Sequence, residues 1–558
     1  MAKFLQALLI WVSLLSLNAK AENPWSEAKI IPTGGRTNPY NLPESEYVQA
    51  VQAGKLHTQI YPVQVTGLLP PYLPTKNFFE ENTLNPVKAL IRAVFKTATQ
   101  FRSMNDVIKW VGLHPYPQPE DQGVYAVPYP NDVRPETALG FSLIERNGAV
   151  GFTMSCAACH SSNLFGKTVL GLTNRFPRAN HAFIRVQQLM PYVDPHFFKL
   201  YNNATDEEED LMAESKKNVG AIGLKEPLVL GLDTSLAQVS LSLSKRNLDP
   251  WATKSRQFEK HPRKNILDNL PADSKPAVWW NLKYKNRWLS DGSVVSGNPV
   301  FTNILWNEVG RGVDLKTLSE WLNNNSQKIK ELTTAVFSIQ SPLITDFFPA
   351  ELISLDKAKN GERLFNATCS ECHGTYEKAW SQPDSEGLTL KDQLKTVRVI
   401  YKSRTRVIDV GTDPNRYLGM KALEKLNDLE ISKLNGAVVK PQKGYVPPPL
   451  VGIWARWPYF HNNSAPSLCA VLTASSQRPV TYYAGEANST STDFDFECNG
   501  YPLGKKTPKA WKSKQYLYDT RKEGLHNSGH DEDIFIRQGQ EVFSSSEKRD
   551  LIQFLKTL

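Results

Sequence analysis

Cysteine is scarce in this sequence, with six residues in 558, and so are methionine, also six, and histidine, ten. So few cysteines exclude a small disulfide-stapled scaffold, and the length allows two to four domains of roughly 150 residues, each able to bury a core. Long apolar runs are lacking too. After Leu17 none approaches the ~20 residues that a spanning helix needs, so no membrane span is expected in the mature chain. Runs of one charge are also missing. The 65 basic and 56 acidic residues leave a net charge of +9, scattered along the chain, which speaks against a nucleic-acid partner and for a solvated surface. No fixed-period repeat is present. Proline, by contrast, is plentiful at 37 residues, which predicts long irregular connections.

The first residues have the pattern of an export signal: Lys3, an apolar run from Phe4 to Leu17, then small residues at Ala19 and Ala21. Residues 1–21 are read as a signal peptide, with an uncleaved anchor as the alternative, and a periplasmic or secreted location follows.

Four of the six cysteines fall in two copies of one pattern, Cys156-Ala157-Ala158-Cys159-His160 and Cys369-Ser370-Glu371-Cys372-His373. Cys-x-x-Cys-His is the attachment signature of haem c. Thiols three apart share one face of a helical turn and reach the two vinyl groups of one porphyrin, and the next residue, His, is carried under the iron. Two covalently attached haem c groups are therefore expected, with Cys156, Cys159, Cys369 and Cys372 as attachment points and His160 and His373 as iron ligands. A zinc site would need a second nearby ligand cluster, and a thioredoxin-like motif would not need the histidine. Cys469 and Cys498 stand apart. In an oxidising compartment they form one disulfide, and two free thiols are the alternative.

Along the chain, residues 22–130 read as a proline- and aromatic-rich N-terminal extension. Helical apolar spacing occurs there at Leu90, Ile91, Val94 and Phe95, and again at Val107, Ile108 and Val111. Residues 131–345 are assigned to a first and 346–558 to a second cytochrome c-like haem domain. The expected fold is mainly α with long irregular loops. The stretch from Leu355 to Phe365 predicts a helix leading into Cys369, and Ser544 to Glu547 forms a capping box before Leu551, Phe554 and Leu555. Gly361 and Phe365 would then sit where these two helices cross.

A haem held by two protein ligands moves electrons, whereas an open sixth position binds oxygen or peroxide. For the second haem the favoured distal ligand is His530, in the loop before the closing helix, with Met420 as rival. An exposed loop histidine is the bland reading of His530. No distal ligand for the first haem stands out. The Trp279-Trp280 pair either packs in the core or lines a pocket beside a haem.

Three features together resemble the bacterial dihaem cytochrome c peroxidase superfamily, in its rubber oxygenase-like branch. They are the two attachment motifs, Pro276-Ala277-Val278-Trp279-Trp280 between them, and Arg456, Pro458, Tyr459, His461, Asn462, Ser464, Pro466 and Leu468 after the second. Asn463 stands where that element usually has glycine. The resemblance implies an open, catalytic first haem with Trp280 near its distal side, His530 on the second iron, and Arg456 and His461 supporting the pocket or path between them. The expected activity is that of a haem-dependent oxidoreductase using peroxide or oxygen. Its partner would be a small redox protein, such as a cytochrome or cupredoxin, or an apolar substrate. A rubber oxygenase-like dioxygenase and a non-enzymatic electron carrier are the alternatives.

Overall fold

In the second half of the chain, local sequence signals account for the architecture most directly. The computed structural model describes residues 23–243, 245 and 270–558, so the expected signal peptide lies outside the described residues. Ser354 accepts from the Lys357 amide to start the helix Leu355–Thr368. Ser544 and Glu547 form the capping box that starts the helix Ser545–Leu555. These two helices cross at Gly361, where a Cβ would lie 2.0 Å from the Asp550 carbonyl oxygen. Glycine is required there because backbone meets backbone. Phe365 packs against Phe554 beside the crossing, with ring centroids 5.3 Å apart.

The first attachment motif has a different setting. The hairpin of Phe141–Arg146 with Ala149–Met154 runs directly into it, and the hairpin of Ser161–Leu164 with Lys167–Leu170 leaves it. The crossing helix pair thus belongs to the second motif, and the first motif sits in a turn between two hairpins. Its three-residue spacing required only one tight turn, which a β framework also provides.

Helices predominate elsewhere, and among the described residues the strands form seven two-stranded antiparallel sheets. The N-terminal extension wraps the molecule. Trp25 packs edge-on against Phe337 at 5.6 Å, and the helix Glu44–Gln59 lies along Ser326–Ser338 with Gly54 against the Glu331 backbone. One apolar core runs from Trp25 to Leu558 and draws on all three sequence segments.

The apolar spacing near residue 90 does form a helix, Pro86–Thr99, but its stripe is turned differently from expectation. Phe95 packs inward on Phe78, whereas Leu90 and Val94 are more than 60% exposed. Arg92 takes the inward position, bonded to the Glu81 carbonyl. Periodicity fixes that a helix is amphipathic, and tertiary contacts decide which face is covered. No described helix is long and apolar enough to cross a membrane. Cys469 and Cys498 are joined as a disulfide with their Cα atoms 5.0 Å apart.

Candidate haem sites

Each attachment turn is locked by its own backbone. In the first, the His160 amide donates to the Cys156 carbonyl at 3.2 Å, and Asn174 clamps the turn by donating to the Ala158 carbonyl at 2.8 Å. Gly140 lets the turn sit close, since a Cβ there would come within 2.6 Å of the Ala158 backbone. In the second, the His373 amide donates to the Cys369 carbonyl at 3.0 Å, and the Tyr376 hydroxyl donates to the His373 carbonyl at 2.9 Å.

Burial pushes the Cys156 thiol up to about 11 and the Cys159 and Cys369 thiols to about 12. A dithiol redox motif works through a lowered thiol pKa, so these sulfurs are unsuited to that chemistry. Among the described residues no group of three or more His, Cys, Asp or Glu side chains could hold a metal ion.

Both motifs open into one cavity of about 680 Å³. Cys156, His160, Cys369, Cys372 and His373 line it, while Cys159 closes the turn by donating its amide to the Cys156 carbonyl. The two motif histidines are oriented in the same way. His160 Nδ1 donates to the Ala277 carbonyl at 2.9 Å, and His373 Nδ1 donates to the Pro448 carbonyl at 2.8 Å. A metal-binding histidine characteristically gives its other ring N–H to such an acceptor, which leaves Nε2 free for the iron. Burial lowers His160 to about 4 and shifts His373 in the same direction, so both are neutral imidazoles at pH 7.

The segments carrying these two carbonyls are stitched together. Asn281 donates to the Pro449 carbonyl at 2.9 Å and Trp280 Nε1 to the Val451 carbonyl at 2.8 Å. Trp280 is fully buried and stands outside the cavity lining; Trp279 lines the cavity, its ring tilted against His160 with centroids 5.1 Å apart.

His530 faces His373 across the cavity, with ring centroids 6.2 Å apart. Two imidazole–metal bonds of about 2 Å, plus half of each ring, span about 6 Å, so an iron fits between them. Several contacts hold the ring there. The His530 amide donates to the Val410 carbonyl at 2.8 Å, and Arg478 Nη1 donates to the Gly529 carbonyl at 2.8 Å. Gly529 lies against the backbone of Gly411 and Thr412, where a Cβ would come within 2.4 Å. Burial, reinforced by His373 and Arg478, lowers His530 to about 3.

The other candidates are placed elsewhere. Met420 is fully buried and away from the cavity. His57, His181, His196 and His526 stand beside Glu331, Glu226, Glu209 and Asp413. Among the described residues no second histidine ring stands opposite His160.

Arg456 and His461 both line the cavity. His461 is stacked on Tyr445 with centroids 4.0 Å apart, and burial lowers it to about 3. Asn463, in the position usually held by glycine, has φ +65°. Asn tolerates this left-handed conformation, so the turn is retained, and its side chain adds a bond to the Gly231 carbonyl at 3.2 Å. Sequence reading missed Trp279 as the cavity-lining member of the pair, the Ala277 and Pro448 carbonyls, and the cavity lysines Lys275 and Lys285. Only the lysines carried a side-chain signal, by flanking the tryptophan pair.

The family described as RoxA-like, cytochrome c-like matches residues 444–483. This stretch contains Pro448, Arg456 and His461, and so supplies the carbonyl that orients His373. A cytochrome c-like domain implies covalently bound haem c, and the residues around both motifs fit that group. Two curated proteins of Sinorhizobium fredii (strain NBRC 101917 / NGR234) are also similar. The uncharacterized protein y4iM is 26% identical over 352 residues, covering 56% of this chain and 69% of y4iM. The uncharacterized protein y4iJ is 34% identical over 112 residues, which span 20% of this chain and only 17% of y4iJ.

Proposed function

We propose that this chain is an exported dihaem c-type oxidoreductase with one open and one closed haem. In this reading Cys156, Cys159 and His160 hold the first haem, and Cys369, Cys372, His373 and His530 hold the second. The observation that carries it is the asymmetry of the histidines: His530 stands opposite His373 at 6.2 Å, and among the described residues no histidine does so for His160. The disulfide between Cys469 and Cys498 supports export to an oxidising compartment. The resemblance to dihaem peroxidases supports the same division of labour.

When bound, haem c supplies one-electron transfer at a six-coordinate iron and binding of peroxide or oxygen at an open one. The chain's own residues do the rest. Ala277 and Pro448 keep the proximal imidazoles in the tautomer that presents Nε2. Leu236, Val300, Ile304, Leu332 and Val336 give the cavity apolar walls. Arg456 and His461 border the space between the two sites. As a peroxidase, the protein would reduce hydrogen peroxide to two waters with two protons and two electrons from a small cytochrome or cupredoxin. The RoxA-like match and the apolar walls favour a second reading, in which oxygen is added to an apolar substrate.

Electron paramagnetic resonance of the oxidised protein, with and without peroxide, tests the assignment. One low-spin haem and one high-spin haem that responds to peroxide is the expected result. Two low-spin haems that bind no added ligand would make the protein an electron carrier. Peroxide turnover with a reduced cytochrome, set against oxygen uptake with polyisoprene, separates the two enzyme readings.

A further inference from the structure

The cavity has five cations in its lining, Lys275, Lys285, Arg416, Arg456 and Arg537, against three carboxylates, of which Glu371 and Asp533 are exposed and Asp233 is half-buried. Lys275, Lys285 and Arg456 all line it, and none has a carboxylate within ion-pair distance among the described residues. Lys275 Nζ donates only to backbone, to the Arg456 carbonyl at 3.3 Å and the Pro458 carbonyl at 2.5 Å. Arg456 Nη1 donates to the Pro449 carbonyl at 3.0 Å. Lys285, 9% exposed, has an ammonium with no hydrogen-bond partner among the described residues. Of the other two cations of the lining, Arg416 is already matched by Asp291 at 3.7 Å and Arg537 is exposed. Gathering three cations, Lys285 buried and Lys275 and Arg456 half-buried, with no ion-pair partner is costly, so the arrangement calls for negative charge from something the cavity holds. Burial holds Lys285 down to about 8 and Arg456 to about 10, as expected where compensation by the chain is missing.

We propose that Lys275, Lys285 and Arg456 form an anion-binding wall that takes propionate carboxylates from both haems. This rests on the dihaem reading above. Thioether links form at the vinyl side of a porphyrin, and the propionates lie on its other side, away from the cysteines. The wall lies between the two sites by direct connection. Lys275 is two residues before Ala277, whose carbonyl receives His160, and Arg456 binds the carbonyl of Pro449, next to Pro448, which receives His373. The wall therefore serves both porphyrins and electrostatically couples them, because each cation stabilises carboxylates near both irons.

The test is spectroelectrochemistry of the full-length holoprotein together with haem counting. Replacing Lys285→Met should leave two haems per chain and lower both midpoint potentials, because less positive charge favours the oxidised irons. Lys285→Arg, which keeps the charge, should leave both potentials in place. If Lys285→Met does not accumulate, Arg456→Gln gives the same reading. Unchanged potentials with two haems attached would overturn the wall, and a shift confined to one haem would overturn its shared character. Wild-type potentials that move on titration with inorganic phosphate would assign the wall to a free anion instead. Fewer than two haems in the wild type would sink the dihaem reading itself, a separate result.

Discussion

The same five-residue pattern is built into two different frameworks. At Cys369 it caps a helix pinned by a glycine crossing, and His530 faces the motif histidine from a loop 157 residues downstream. At Cys156 it hangs between two hairpins, and the ring set against its histidine is Trp279. The attachment chemistry depends only on one tight turn, whereas the occupancy of the opposite side depends on what the rest of the fold delivers. In the dihaem reading proposed above, identical motifs would hold irons of different reactivity within one cavity.

The largest effect that would break this comparison is removal of one haem. Substituting both cysteines of either motif by alanine should halve the haem per chain in a pyridine haemochrome assay. Loss at Cys156 and Cys159 should abolish binding of added ligands, and loss at Cys369 and Cys372 should retain it. Next in size is His530→Ala, which should open the second site: the low-spin signal is lost, and both haems then bind carbon monoxide when reduced. Unchanged spectra would reject His530 as a ligand.

A third substitution separates the frameworks mechanically. Gly361→Val places side-chain atoms against the Asp550 carbonyl, and overpacking of this kind costs about 3 kcal/mol, measurable as a lower midpoint in urea unfolding. Its effect should be felt first in the spectrum of the second haem. An effect of comparable size concerns acid. Burial lowers His114, which lies beside the Asn174 that clamps the first turn, from the ordinary 6.5 to about 4. The unfolded chain takes up this proton first as pH falls. The contribution is therefore present in full above about 6.5 and lost as pH drops through about 4, amounting to about 3 kcal/mol. Urea unfolding at pH 7 and pH 4.5 should show that His114→Gln loses less stability than the wild type.

Much of the second site was legible in the sequence because its determinants are side chains of distinctive type at short range: the motif, Gly361, Phe365, the capping box at Ser544 and a histidine in the following loop. The first site was legible only as a motif. Its setting between hairpins depends on Gly140, Asn174 and pairings that no local pattern specifies. The acceptors that orient His160 and His373 are backbone carbonyls, and every residue carries one, so nothing in the letters of Ala277 or Pro448 marks them. Trp280 was expected beside the first haem from the family resemblance, while the letters of the pair left core and pocket open. In the fold the pair divides: Trp279 faces the cavity and Trp280 stitches the two carbonyl-bearing segments together.

The walls of the cavity bear on how the protein is made. They run from Cys156 to Leu555, so the chain from the first motif nearly to its last residue is needed to enclose the space. In the exported dihaem reading proposed above, porphyrin attachment needs open thiols, and the chain would present Cys156 long before Leu555. On that reading maturation would be an ordered sequence, with each porphyrin joined to an open chain and the helix Ser545–Leu555 closing last. A protein that folds before it is loaded has shut the door on its own cofactors.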